Sequence, residues 1–179
     1  GTTLKSINNK IPNSEITIID TPGLIPDGRI SDLISVESGL KLVPAGEISR
    51  KTFKLEENQV FMFDVFCRFK ILGNELLESG SKPIFSAYAS KSVKFHVARE
   101  ERVQDLLNGN YFEILQGAEK EKYFQNEFVT HEVEIGENEE LVIAGLGWIN
   151  VKRGPLKVQL EVPKNVKVIV RPSIFKNRK

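Results

Sequence analysis

The sequence predicts an α+β chain: a short piece of α/β structure followed by a mostly antiparallel β domain with one or two helices. Three observations carry that prediction. A branched apolar pair, Ile18-Ile19, runs into the turn-forming Asp20-Thr21-Pro22-Gly23. Hydrophobicity takes a period of two beyond about residue 48. One stretch only, 99–110, has clear helical spacing and a glycine stop. The division falls at 1–47 and 48–179, across the linker VPAGEISR at 43–50.

Taken in order, residues 1–10 (GTTLKSINNK) carry no start signal. Residues 15–20 read as a strand whose C-terminal edge presents a carboxylate, and ligands of open α/β sheets bind at such edges. An Asp there can hold Mg²⁺, and a following Gly lets the backbone approach a phosphate. As a plain strand and Pro-Gly turn, the same residues carry no chemistry. Ile30, Leu33 and Ile34 predict one or two short helices within 27–42. In 60–72, Phe61, Phe63, Val65, Cys67, Phe69 and Ile71 alternate with more polar neighbours. That pattern predicts one long strand with an apolar face, and puts Asp64 and Arg68 together as a same-face ion pair. Glu57-Asn58 predicts a hairpin between this strand and 51–56. Further strands are expected at 82–90, 92–97, 127–136, 140–153, 156–162 and 166–171, the last two joined as a hairpin by Pro163-Lys164-Asn165. The helix over 99–110 turns Val103, Leu106 and Leu107 inward and stops at Gly109. Trp148, flanked by Gly147, is expected to pack over a bulge, with stacking on a base or peptide as the alternative. No internal repeat or low-complexity tract is expected.

At 40% hydrophobic and 27% charged, the 179 residues have the composition of a globular protein. The single cysteine, Cys67, excludes a disulfide framework and a Cys-rich zinc site. His96 and His131 have no second ligand nearby and read as structural or surface residues. No run is long enough for a membrane span and no signal peptide is visible, so a cytoplasmic setting is expected. The net charge of +1 conceals an asymmetry: 97–140 holds 12 acidic and 4 basic side chains, 151–179 holds 1 and 9. Lys152, Arg153, Lys157, Lys167 and Arg171 fall on or beside the last strands and are the candidate RNA contacts, as an outward phosphate-tracking stripe. The counter-reading is that they neutralise the acidic segment.

GTTL at 1–4 precedes DTPG at 20–23 by about the length of a switch loop. In that order the pair resembles the second and third nucleotide motifs of translation-factor-class GTPases. With LKLVPAGEI, the Phe-rich stretch and GLGWINV at 145–151, the whole chain resembles the circularly permuted ribosome-assembly GTPases of the bacterial YqeH type. The resemblance implies that 1–47 is the C-terminal remnant of a P-loop GTPase α/β domain. It makes Thr3 the switch-I threonine that meets Mg²⁺, Asp20 the Mg²⁺-side carboxylate, and Gly23 the N–H donor to the γ-phosphate. GTP and Mg²⁺, with K⁺ as an accessory, are the implied cofactors. Leu24 stands where Ras-like switches place a water-orienting glutamine, and a hydrophobic residue there matches the permuted family. The implied intact protein is a GTP hydrolase that assists small ribosomal subunit assembly, with ribosomal RNA and ribosomal or assembly proteins as partners and no membrane. The family's C-terminal domain is similar to a known RNA-binding attenuation protein, which implies RNA or protein recognition.

A phosphate-binding G-x-x-x-x-G-K-[ST] is absent from the 179 residues, and Asn9-Lys10-Ile11-Pro12 has proline where a base-reading motif has Asp. Family members carry both motifs, and a zinc-binding segment, upstream of GTTL. The chain is therefore expected to be a C-terminal piece, inactive alone, with no bound nucleotide and no catalytic residue of its own. The alternative from another class is a stand-alone β-rich module that binds a peptide or protein, with DTPG a mere turn.

Overall fold

The computed structural model describes residues 7–12, 14–20, 27–56, 58–72 and 79–175. Among these, β1 (Ile7–Lys10) and β2 (Thr17–Asp20) pair as an antiparallel hairpin with Ile7 opposite Asp20. The expected strand ending at Asp20 is present, beside a partner that the polar run SINNK did not signal. A 3-10 turn (Ile30–Leu33) and α1 (Val36–Leu42) follow. Ser35 starts α1 by accepting the Ser38 N–H at 3.2 Å, which satisfies one of the helix's orphan donors.

Ten further strands come next: β3 (Ser49–Lys54), β4 (Gln59–Phe63), β5 (Cys67–Ile71), β6 (Ile84–Ala89), β7 (Phe95–Arg99), β8 (Phe128–Ile135), β9 (Glu139–Ile143), β10 (Gly147–Arg153), β11 (Leu156–Pro163) and β12 (Val168–Pro172). They form two five-stranded antiparallel sheets, ordered β12-β9-β10-β6-β3 and β7-β4-β5-β11-β8. Two helices, α2 (Glu100–Asn108) and α3 (Gly117–Phe124), lie between β7 and β8. The expected helix, its buried Val103 and Leu107, and the stop at Gly109 are all found; α3 is the second of the one or two helices expected, at a position the sequence reading did not assign. The sheets meet through phenylalanine. Phe53 and Phe85 of the first sheet contact Phe61 and Phe69 of the second at 4.9–5.4 Å between centroids. Burial of each such ring stabilises by roughly 1.5–3 kcal/mol. Leu156, Val158, Leu160 and Val162 all face inward at 0% exposure, as their alternation requires.

One five-strand unit is used twice, which corrects the expectation of no repeat. Exchanging β3–β7 with β8–β12 in order converts one sheet into the other. The register agrees residue by residue. Phe63 opposes Cys67 as Ile143 opposes Gly147, and Arg68 opposes Glu161 as Trp148 opposes Tyr88. Asn58 (φ 63°) and Asn138 (φ 62°) occupy the same left-handed turn position. Lys91-Ser92-Val93-Lys94 and Lys164-Asn165-Val166-Lys167 make the same turn bond, N–H of Val93 to Ser90 O at 3.0 Å and of Val166 to Pro163 O at 2.9 Å. Identity survives at such turns and, within the strands, at Val97 and Val170. The repeated core positions exchange aromatic for aliphatic residues, so hydrophobicity alone does not expose the duplication.

Three strand expectations are corrected. The stretches 60–72 and 140–153 are each a hairpin, not one strand, turning at Asp64-Val65-Phe66 and Ala144-Gly145-Leu146. A three-residue turn preserves side-chain parity, so Phe63 and Cys67 both still face the core and the period of two runs through the bend unbroken. Asp64 (φ 53°) is turned into the bend, so the Asp64–Arg68 pair does not form; Arg68 pairs with Glu161 across β5 and β11 instead. Finally, neither β3 with β4 nor β11 with β12 makes a hairpin, because each pair divides between the two sheets.

Candidate functional site

Of the three expected nucleotide-side residues, Thr3 and Gly23 lie outside the described residues, as does Leu24. Asp20 is placed by its backbone at the end of β2. The strand that carries it, β2, has apolar residues on both faces. The adjacent Ile18 and Ile19 point to opposite sides, at 55% and 59% exposed, and Ile16 is 61% exposed. Strands with apolar residues on both faces belong to sheets covered on both sides.

Past Gly23, residues 28–42 are bonded into the β sheets. The Lys167 N–H donates to Gly28 O at 2.8 Å and the Ile30 N–H to Ala144 O at 2.9 Å, with Ile30 fully buried. Gly145 makes room for this docking: at φ +73°, an added Cβ would sit 2.6 Å from the Arg29 Cβ. Two residues on, Gly147 lets β10 lie against β6, where a Cβ would meet Tyr88 O at 2.2 Å. Glu119 of α3 accepts the Ser35 N–H at 2.8 Å and the Ser38 hydroxyl at 2.9 Å. Burial pushes the Glu119 carboxyl up, but these bonds outweigh it and hold it below the usual range. An apolar groove of about 340 Å³ opens between this segment and the β9–β10 turn, lined by Leu42, Val43, Ile48, Val142, Leu146 and Trp148.

The five expected RNA contacts do not form one stripe. Lys152 and Arg153 end β10 in the first sheet, while Lys157 projects from β11 in the second, opposite Glu134. Lys167 precedes β12. Arg171, within β12, pairs at 3.2 Å with Glu140, which is 0% exposed and also accepts from Ser173 and the Ile174 N–H. Arg171 therefore compensates a buried charge.

The fold brings Lys152 and Arg153 to other cations instead. Lys54 of β3 and Arg153 of β10 both oppose Ile84 of the intervening β6. On the same outward side, Arg50 lies 5.8 Å from the centroid of Tyr88. Tyr88 stacks on Trp148 (5.0 Å, 4°) and on Phe175 (5.1 Å, 27°). Trp148 thus packs on a ring rather than over a bulge; the register shift of β10 lies further on, between Val151 and Arg153. Trp148 Nε1 and Asn150 Oδ1, on this same side, lack partners among the described residues. Arg50 and Lys54 were missed because only the strand order places β3 beside β6. The alternation in SRKTFK does put both on one face, and that was the available signal.

His96 bonds Tyr111 through Nδ1 at 3.0 Å, and His131 is exposed on the edge strand β8. No cluster of potential metal ligands occurs among the described residues, and no described helix is long and apolar enough to cross a membrane.

Comparison with known proteins adds two findings. A family model described as YqeH-like, C-terminal matches residues 82–174. The protein YqeH of Bacillus subtilis (strain 168) is 28% identical over 177 residues, covering 98% of this chain and 46% of that protein. The chain thus spans about half the length of the curated relative it matches.

Proposed function

The chain belongs to the YqeH-like, C-terminal family, and from that premise we propose that it is the C-terminal portion of a circularly permuted GTPase that assists small ribosomal subunit assembly in the cytoplasm. In this reading the segment through Gly23 completes a GTP site whose phosphate loop and base reader lie upstream. The β sheets recognise ribosomal RNA, together with ribosomal or assembly proteins. Asp20 fits a cation-side role, because β2 ends at it and Thr21-Pro22-Gly23 follow it in the sequence. Thr3 and Asp20 would hold Mg²⁺, which supplies charge neutralisation at the phosphates when bound. Gly23 would leave its N–H free for a phosphate oxygen.

The observation that carries the coupling is the tethering of residues 28–38 to Lys167, Ala144 and Glu119. A displacement after Gly23 would pull directly on the β9–β10 turn and on α3. RNA affinity of the full-length protein, measured with GDP and with a non-hydrolysable GTP analogue, tests this. The expected result is a several-fold difference between nucleotide states that Glu119→Gln diminishes. Equal affinity in both states would overturn the coupling. The 179-residue chain alone is expected not to bind nucleotide, and micromolar binding of a labelled GTP analogue with Mg²⁺ would contradict the upstream placement of the phosphate loop.

A further inference from the structure

We infer that the outward face of the first sheet, from β3 across β6 to β10, binds single-stranded RNA, with its phosphates on Arg50, Lys54, Lys152 and Arg153 and a base against the exposed ring of Phe175. This rests on the RNA-recognition reading above and replaces the surface expected from the last two strands.

The first support is the distribution of unpaired charge. Several cations elsewhere on the surface sit beside carboxylates: Lys70 with Glu100, Lys91 with Glu47, Lys94 with Glu113 and Lys164 with Glu127. Arg50, Lys54, Lys152 and Arg153 have no ion-pair partner among the described residues. The nearby Glu137 is engaged with the Gly154 N–H at 3.1 Å. Lys54 and Arg153 flank Ile84 from its two neighbouring strands, about 10 Å apart at the usual strand spacing. A group of unneutralised cations at this spacing suits an anionic polymer, whose binding releases counterions.

The second support is the ring platform beside those charges. Phe175 is 43% exposed while one side of it stacks on Tyr88. Its backbone is held in place: the Phe175 N–H donates to Ser173 Oγ at 3.1 Å, and that hydroxyl is bonded to Asn150 at 2.7 Å and Glu140 at 3.1 Å. The ring is thereby held against Tyr88, the same ring that Arg50 approaches. Lys176, Arg178 and Lys179 follow it in the sequence. A presented aromatic ring can be used only by a nucleic acid whose bases are unstacked, since a duplex keeps their π-faces covered. Single-stranded RNA is therefore favoured over an RNA helix, and over an acidic peptide, which would use the charges and not the ring.

The test is fluorescence anisotropy on the 179-residue chain with a labelled single-stranded RNA, the duplex of the same sequence, and polyglutamate. The expected order is single strand first. The slope of log affinity on log salt should be near −3 if about four phosphates are neutralised. Lys54→Glu with Arg153→Glu should flatten that slope. Phe175→Ala should weaken single-strand binding about tenfold and leave the slope unchanged. Lys157→Glu serves as the control and should have little effect. Single-strand binding lost in Lys157→Glu but kept in Lys54→Glu/Arg153→Glu would overturn the inference and leave RNA recognition standing. Duplex preference, or polyglutamate binding without RNA binding, would overturn it in favour of an RNA helix or an acidic protein. No RNA binding at low salt would sink both this inference and the RNA reading beneath it.

Discussion

The Asp64 carboxylate accepts two backbone N–H groups in the β4–β5 turn, from Val65 at 3.0 Å and Lys94 at 3.1 Å. Those bonds favour the charged form, but burial outweighs them and pushes its pKa from 3.8 up to about 6. The folded state therefore holds a proton that the unfolded chain has released between about pH 4 and 6. Its stabilising contribution is complete below the lower value and is lost as pH rises through the higher. At about 1.4 kcal/mol per pKa unit, the protein should lose up to about 3 kcal/mol across that window. Asp64→Asn removes the titration; its amide can still accept from Val65 but not from Lys94. The stability difference between the two proteins in urea should accordingly change between pH 4 and 7. A constant difference would show that the carboxylate titrates normally.

The β9–β10 hairpin and α1 illustrate what single elements do here. The turn at Ala144-Gly145-Leu146 closes a hairpin and also receives the Ile30 N–H, so one glycine conformation serves both sheet and docking. Gly145→Ala must force a left-handed backbone and displace Arg29. We expect a loss of about 1–3 kcal/mol, with amide exchange accelerated in 28–38 more than in β9 or β10. Uniform acceleration across the first sheet would mean that the glycine serves the hairpin alone. On α1, Ser38, Gly39 and Leu42 are buried while Val36, Leu40 and Val43 are 57–80% exposed. The helix thus has a second apolar stripe at i, i+4, i+7 that the two sheets do not cover.

At the scale of the molecule, the repeat units are interleaved. The first sheet takes β9, β10 and β12 from the second unit and β3 and β6 from the first; the second sheet reverses the shares. Neither unit can bury its apolar face alone, so each depends on strands distant in sequence. Residues 49–126 and 127–175 expressed separately should be unfolded by near-ultraviolet circular dichroism, and co-expression should restore the signal. A cooperative thermal transition in either half would refute this interdependence. The β1–β2 hairpin stands apart, since a two-stranded hairpin is marginally stable in water. Its amides should exchange much faster than those of β5 and β11, and equal protection would show that it is packed as tightly as the sheets.

Local pattern determined much of this protein. Alternation in 156–162 identified the buried face of β11, helical spacing and Gly109 bounded α2, and Ile18-Ile19-Asp20 marked where β2 ends. The order of GTTL and DTPG, and the stretches around them, were enough to reach the family. Pairing was not legible, because parity is blind to a three-residue turn and to which sheet a strand joins. Hence 60–72 read as one strand, and β11 and β12 as partners. The same limit applied to the basic surface. Charge counting found an excess in 151–179 but could not divide Lys157 from Arg153, or see Arg171 committed to Glu140. Only the strand order, with β6 between β3 and β10, brought Arg50 and Lys54 to the same face as Arg153 and Phe175, since proximity across a sheet is set by hydrogen-bonded neighbours and not by distance along the chain.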